Sequence, residues 1–290
     1  MRDRLRNLLR ADMLRRKLRD KTIRAMDEAV RGYHDEQSER LSALQQELAQ
    51  LRAEVSQLRE SMDKATSEHA QRVLDRVVEF EIRSRRDIVY AADQRATQES
   101  AEFVREHMPT ARRFTRPLRT LEHALTLAPS GGMALEFGVY SGQTLRIISE
   151  SRDGQVYGFD SFEGLPEDWR TDFEAGAFNT DKLPEVPGAE LVVGWFDDVL
   201  PGFLARHPGT VDFLHVDSDL HSSAETVLDQ VGPRLRPGSV IVFDEYFNYP
   251  GWQRHEHRAW QEYVERTGTK FSYLGYTHDN EQVVVQVDET

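Results

Sequence analysis

Ala134-Leu-Glu136-Phe-Gly138-Val-Tyr140-Ser141-Gly142-Gln-Thr144, with Tyr157-Gly-Phe-Asp160 a short way downstream, decides the fold of this chain. A short apolar run ends in a glycine turn, a helical segment starts near Thr144, and a second apolar run stops at an acidic residue. That succession is strand, turn, helix and strand, the opening unit of a parallel α/β sheet. Gly138 and Gly142 let the backbone approach a ligand where a Cβ would collide, and the helix behind them directs free amides toward it. Asp160, at the end of the second strand, is placed to accept ribose hydroxyls. An ordinary strand-helix turn that happens to contain two glycines is the plainer alternative.

The glycine spacing separates one nucleotide cofactor from another. A dinucleotide turn needs Gly-x-Gly-x-x-Gly, and counting from Gly138 its second and third glycine positions hold Tyr140 and Gln143, so a pyrophosphate has nothing to rest on. What survives is Glu136-x-Gly138-x-x-x-Gly142. An acidic strand end favours a cation, and S-adenosylmethionine carries a sulfonium and an ammonium group where NAD carries phosphates. The turn therefore fits a methyl donor better than a dinucleotide.

Working outward, apolar runs alternate with helical segments. Strands are expected at Met133 to Val139, Gln155 to Asp160, Glu190 to Val193, Val211 to Asp217 and Ser239 to Asp244. Phe271 to Tyr276 and Glu281 to Val287 are separated by Thr-His-Asp-Asn, which is hairpin chemistry. The expectation is a doubly wound, Rossmann-like α/β domain of seven strands, five parallel and a terminal hairpin, over residues 117–290. In such sheets ligands bind outside the carboxyl ends of the strands. His215-Val-Asp217-Ser-Asp219-Leu-His221 and Phe243-Asp244-Glu245 then open into the same cleft as Gly138 and Asp160. Crowded carboxylates repel and raise one another's pKa unless they share a cation, and an all-oxygen set suits magnesium or calcium, with magnesium preferred here. Helix capping or cofactor binding by Asp217 and Asp244 is the simpler alternative. His215, inside an apolar strand, reads as a core residue.

Five segments taken in order resemble a known family: Glu136-Phe-Gly-Val-Tyr-Ser-Gly142, Phe159-Asp-Ser-Phe-Glu-Gly-Leu-Pro166, Gly194-Trp-Phe-Asp197, His215-Val-Asp-Ser-Asp-Leu220 and Val242-Phe-Asp-Glu245. They resemble the metal-dependent O-methyltransferases of the macrocin type, class I S-adenosylmethionine-dependent enzymes that methylate sugar hydroxyls on macrolide and aminocoumarin natural products. The resemblance covers roughly residues 115 to 290 and implies a magnesium site at Asp217, Asp244 and Glu245. It implies cofactor contacts from Glu136, Gly138, Tyr140, Ser141, Gly142, Asp160, Ser161, Phe162, Trp195, Phe196 and Asp217. Asp219 is implied as the general base; His221 stands where the family usually has an aromatic, and by its chemistry it is either an alternative base or a neighbouring hydrogen-bonded histidine. A small-molecule or glycan acceptor is expected, with residues 161 to 189 as the lid. Tyr246, Phe247, Tyr249 and Trp252 form an aromatic group that either stacks on a sugar or packs its own loop. Two other readings stay open, a metal-free methyltransferase and a scaffold with a vestigial cofactor domain.

The region before residue 105 has a different texture and no counterpart in that resemblance. Leu41, Leu44, Leu48, Leu51, Val55, Leu58 and Met62 alternate three and four residues apart, which is coiled-coil spacing. With Leu41, Leu48 and Val55 at a positions, Glu47 and Glu54 fall at g and Arg52 and Arg59 at e, so opposite charges face each other in a parallel pair. Val73, eleven residues beyond Met62, and then Phe80 suggest a four-residue stutter. A self-associating helix is expected over 27–104, a linker over 105–116, and a basic arm over 1–26. Residues 1 to 24 hold ten Lys or Arg against Asp3, Asp12 and Asp20, net plus 7 in a chain of net charge −13. Those charges offer a weak contact to anionic surfaces. The 290 residues contain no cysteine, which excludes a thiolate nucleophile and cysteine-held zinc and fits a reducing, cytoplasmic setting. No apolar run reaches the roughly 18 residues of a membrane span, and the Arg-rich start lacks the apolar core of a signal peptide.

Overall fold

The computed structural model describes residues 2–290, with side chains from Met13 onward, as two compact units that divide between Arg85 and Arg86. The first unit is one helix, α1 (Arg2–Arg86). Along it Leu41, Leu44, Leu48, Leu51, Val55, Leu58 and Met62 are all exposed, none less than 48%. The helix expected to run to about residue 104 is interrupted at Asp87, whose carboxylate accepts the backbone N–H groups of Val89 and Tyr90 and starts a new helix, α2 (Ile88–His107). Among the described residues no helix is long and apolar enough to cross a membrane.

The second unit contains α2, a short strand β1 (Arg112–Phe114), α3 (Pro117–Leu127), β2 (Met133–Phe137), α4 (Gln143–Ser151), β3 (Val156–Asp160), β4 (Glu190–Val193) and α5 (Phe196–Arg206). It continues with β5 (Val211–Val216), α6 (His221–Val231), β6 (Leu235–Phe243), α7 (Glu256–Thr267), β7 (Lys270–Thr277) and β8 (Val283–Glu289). The sheet order is β1-β7-β8-β6-β5-β2-β3-β4, with β8 antiparallel to both of its neighbours. Five central parallel strands and a closing hairpin match the expectation, but the sheet has eight strands among the described residues, not seven. The additional strand is β1, three residues that pair in parallel with the edge of β7. Its two arginines hide it from any search for apolar alternation.

Side chains from alternating positions fill two layers. Leu135, Phe137, Phe159, Val216 and Phe243 pack on one face with Leu228 and Trp260, while Ala134, Phe213 and Val242 pack on the other with Leu121, Leu145 and Ile148. Because both faces are covered, β2 and β5 are buried along their whole length, the polar Glu136, Asp212 and His215 included. Their ladder continues past the strand ends: Asp217 N–H donates to the Phe137 carbonyl at 2.8 Å, and Asp244 N–H donates to the Val216 carbonyl at 2.8 Å. The residues that follow β2, β5 and β6 therefore emerge side by side at one end of the sheet.

Candidate active site

A cavity of about 590 Å³ opens at that end. Gly138, at φ +93°, lies so near the β5 loop that a Cβ there would sit 1.8 Å from the Asp217 carbonyl oxygen. Gly142, at φ +74°, opens α4, where a Cβ would meet Val186 Cγ2 at 2.8 Å. Both positions need a residue without a side chain in the left-handed region. The turn between them is braced by Asp160. One of its carboxylate oxygens accepts the N–H groups of Val139 and Tyr140, each at 2.8 Å, and the other accepts that of Phe162 at 2.7 Å.

Of the residues singled out from sequence, Gly138, Tyr140, Asp160, Ser161, Trp195, Phe196, Asp217, Asp219 and Glu245 line this one cavity. Five others stand behind its wall or beside it, Asp244 among them although it was expected to open into the cleft. Glu136 is fully buried and meets His215 Nδ1 at 2.8 Å. Gly142 is buried while Ser141 is exposed beside it, and Phe162 is buried in the same core cluster as Val186. His221 does not reach the cavity: as the first residue of α6 it turns toward α7, where its Nε2 meets Glu262 Oε2 at 2.8 Å. The aromatic residues after β6 are also packing residues. Tyr246, Phe247, Tyr249 and Trp252 are each no more than 3% exposed. The aromatic wall comes instead from the long segment before β4, through Trp169, Phe173 and Phe178. In that segment the Arg170 guanidinium lies 3.9 Å over the Trp169 ring and pairs with Glu281 at 3.0 Å.

The acidic group is brought together as expected. Asp217, Asp244 and Glu245 each offer an oxygen, and these lie within 4.8 Å of one another. Burial pushes the Asp217 and Glu245 carboxyls well above their usual range, and the Asp244 charge adds to the push. Burial works against ionised Asp244 as well, but hydrogen bonding and charge from His215 outweigh it and hold that carboxyl low. One carboxylate thus has its cation, while two are driven toward neutrality for lack of one. Glu245 Oε2 is buried without a hydrogen-bond partner. An unpartnered oxygen in an all-oxygen set fits a hard divalent ion such as magnesium, for which these three residues would be the ligands. Asp219 stands apart on the cavity wall at φ +61°, with burial raising its carboxyl to about 7 against the pull of Arg170.

Two participants escaped the sequence reading. His215 is no inert core residue: buried between β2 and β6, it meets Glu136 through Nδ1 and Asp244 through Nε2 at 3.5 Å. Burial opposes its charge, yet the two acidic partners raise its pKa well above the ordinary value. Glu256, at the start of α7, is fully buried and receives backbone N–H groups from Ser218 and Glu245. Burial lifts its carboxyl to about 8 while those two amides pull it down. A glutamate lying wholly inside a fold was the one available signal, and only burial reveals it.

Part of this arrangement is similar to known proteins. Residues 135–246 match a family described as a methyltransferase domain. The 8-demethyl-8-(2,3-dimethoxy-alpha-L-rhamnosyl)-tetracenomycin-C 4'-O-methyltransferase of Streptomyces olivaceus is 28% identical over 147 residues, 40% of this chain and 53% of that protein. The mycinamicin III 3''-O-methyltransferase of Micromonospora griseorubida is 27% identical over 157 residues, 44% of this chain and 62% of that protein. The chain thus spans a little over half the length of these two relatives. Among solved structures, the calicheamicin methyltransferase CalS11 aligns at TM-score 0.49 and 20% identity, covering 68% of this chain and 91% of that one. A glycine turn braced by Asp160, an acidic group beside it and a sheet closed by a reversed last strand occur together in an α/β unit whose residues 135–246 match a methyltransferase domain.

Proposed function

We propose that this domain transfers a methyl group from S-adenosylmethionine to a hydroxyl of a sugar or other hydroxylated small molecule or glycan, with magnesium assisting. The observation that carries the reading is the convergence of Asp217, Asp219 and Glu245 on the same cavity wall as Gly138 and Asp160. The names of the two relatives, both O-methyltransferases and one acting on a rhamnosyl compound, support a sugar hydroxyl.

S-adenosylmethionine supplies an electrophilic methyl group. Asp217, Asp244 and Glu245 would hold magnesium, which when bound would act as a Lewis acid on an alcohol too weakly acidic to react unaided. The chain's own residues supply the rest. Gly138 and Gly142 admit the donor against bare backbone, Tyr140, Ser141 and Ser161 border it, and Trp195 and Phe196 flank it. Asp219 takes the acceptor's proton, since it faces the cavity and lies outside the three-residue ligand set. His215 keeps Asp244 ionised and oriented from behind. Trp169, Phe173 and Phe178 offer flat apolar faces for a sugar ring. Positioning the acceptor hydroxyl against a bound donor would supply up to about 7 to 11 kcal/mol of barrier lowering by orientation. We also propose that α1 pairs with α1 of a second copy.

Methyl transfer is tested by incubating the chain, magnesium and labelled S-adenosylmethionine with extracts of its own cell and identifying the labelled product. Labelling should stop in excess EDTA and return with magnesium. Transfer that persists in EDTA would sink the metal-assisted form, and failure of S-adenosylmethionine to bind in calorimetry would sink the enzyme reading as a whole.

A further inference from the structure

We infer that Glu256 is a positioning residue that fixes the two acidic loops of the site against each other; the inference rests on the metal-assisted reading above. Glu256 is the first residue of α7 and has no exposed surface. Its Oε1 accepts the backbone N–H of Ser218 at 3.2 Å, and its Oε2 accepts the backbone N–H of Glu245 at 3.1 Å. Ser218 stands between Asp217 and Asp219, and Glu245 follows Asp244. One rigid carboxylate fork therefore joins the loop after β5 to the loop after β6, at the point where the proposed ligands and base leave the backbone.

Stability alone is a poor account of this residue. Burying a carboxylate is costly unless a cation pairs with it, and among the described residues no salt bridge to Glu256 occurs. Its carboxyl oxygens are met by the two amides it joins. Both of its oxygens are occupied by those amides, which sets it apart from Glu245, whose Oε2 is free of partners. The loop it holds is tightly wound: Leu220 N–H donates back to the Ser218 carbonyl at 2.6 Å, and Asp219 lies at φ +61°. From the other side, the Tyr249 hydroxyl donates to the Glu245 carbonyl at 3.2 Å. A small shift in the loop after β5 would move a ligand and the base together, and one in the loop after β6 would move two ligands, because each loop carries more than one of these groups.

The test uses the full chain and Glu256→Gln, which keeps the volume and one acceptor oxygen but points an NH2 group at the second amide. Manganese binding is read by electron paramagnetic resonance, S-adenosylmethionine binding without metal by calorimetry, and turnover with magnesium. The variant should bind manganese about 10- to 100-fold more weakly and lose turnover by a similar factor, the usual cost of losing an outer partner of a metal site. S-adenosylmethionine affinity should stay within about twofold, because the glycine turn is braced by Asp160 and not by Glu256. Manganese affinity equal to wild type, or cofactor affinity falling in step with it, would overturn the role. If the glutamine variant does not fold, Glu256→Asp keeps the carboxyl with a shorter reach, and the same split between metal and cofactor is expected. Absence of manganese binding in the wild type would instead remove the metal centre, and this role with it.

Discussion

At Gly138 a single methyl group decides between a site and no site. The Cβ of Gly138→Ala would lie 1.8 Å from the Asp217 carbonyl oxygen at a φ that side chains avoid, so the β5 loop must move. We expect a loss of more than about 2 kcal/mol in thermal unfolding and no measurable S-adenosylmethionine binding in calorimetry. Asp219→Asn should behave differently, leaving cofactor affinity intact while turnover falls about 10² to 10⁴-fold, the range for a lost proton acceptor; turnover within tenfold of wild type would remove Asp219 from that role. The glycine turn and the acidic pairs could be read from sequence because each is local, a few residues in a row. His215 could not. Its partner Glu136 stands 79 residues away and becomes its neighbour only through the register of β2 against β5, which places Glu136 directly opposite. His257 offers a residue-scale test of burial. Both ring nitrogens are buried without partners among Phe103, Tyr246 and Trp252, and desolvation, with a smaller push from His107, lowers its pKa to about 4. A histidine with a depressed folded pKa contributes stability above its unfolded value near 6.5 and loses it as pH falls toward 4. That window corresponds to about 3 kcal/mol. Melting curves of wild type and His257→Phe should diverge in pH dependence between 6.5 and 4, with the variant the flatter; parallel curves would refute the shift.

At the scale of elements, the chain's one mid-helix discontinuity matters most. The apolar spacing from Leu41 to Phe80 and the lack of glycine or proline argued for one helix to residue 104, but Asp87 was an available N-cap within it. Capping won because the residues beyond have a different partner. Phe103 packs edge-on to Trp252 and Tyr273, Ser100 Oγ accepts the Asn248 N–H, and Gln253 reaches Glu99. A polar helix face gives no hint of which surface it will meet, so this docking was invisible in the sequence. It follows that α2 belongs to the sheet-bearing unit. A chain starting at Asp87 should keep the melting temperature of that unit, whereas one starting at Met108 should melt several degrees lower. In the full chain Phe103→Ala should cost about 2 to 3 kcal/mol, below the range for a fully buried ring because part of it is exposed. Equal melting of the two truncated chains would show that α2 contributes nothing to the unit.

For the whole molecule, the open question is what covers α1. Leu48, Leu51 and Val55 are about half exposed, at 50%, 54% and 48%, on a helix 85 residues long. Isolated helices gain little from propensity alone and depend on a packed apolar face. On the proposed pairing, a second copy would supply that face. In a parallel pair Glu47 meets Arg52 of the other copy and Glu54 meets Arg59, while an antiparallel pair loses that register. Sedimentation should therefore report an oligomer for the full chain and a monomer for Leu48→Glu/Leu51→Glu, with turnover per domain unchanged. Orientation has its own test, made simple because the chain contains no cysteine. In a parallel, in-register pair the two a positions numbered 48 lie side by side, within the Cα separation of roughly 4.4 to 6.8 Å that a disulfide requires. Leu48→Cys should then crosslink to its own copy under mild oxidation, and so should Val55→Cys, one heptad along. An antiparallel pair brings a position against itself only at the centre of its overlap, so it would crosslink at one of these sites at most. Crosslinking at both establishes the parallel arrangement; crosslinking at neither, in a chain that sediments as an oligomer, excludes it.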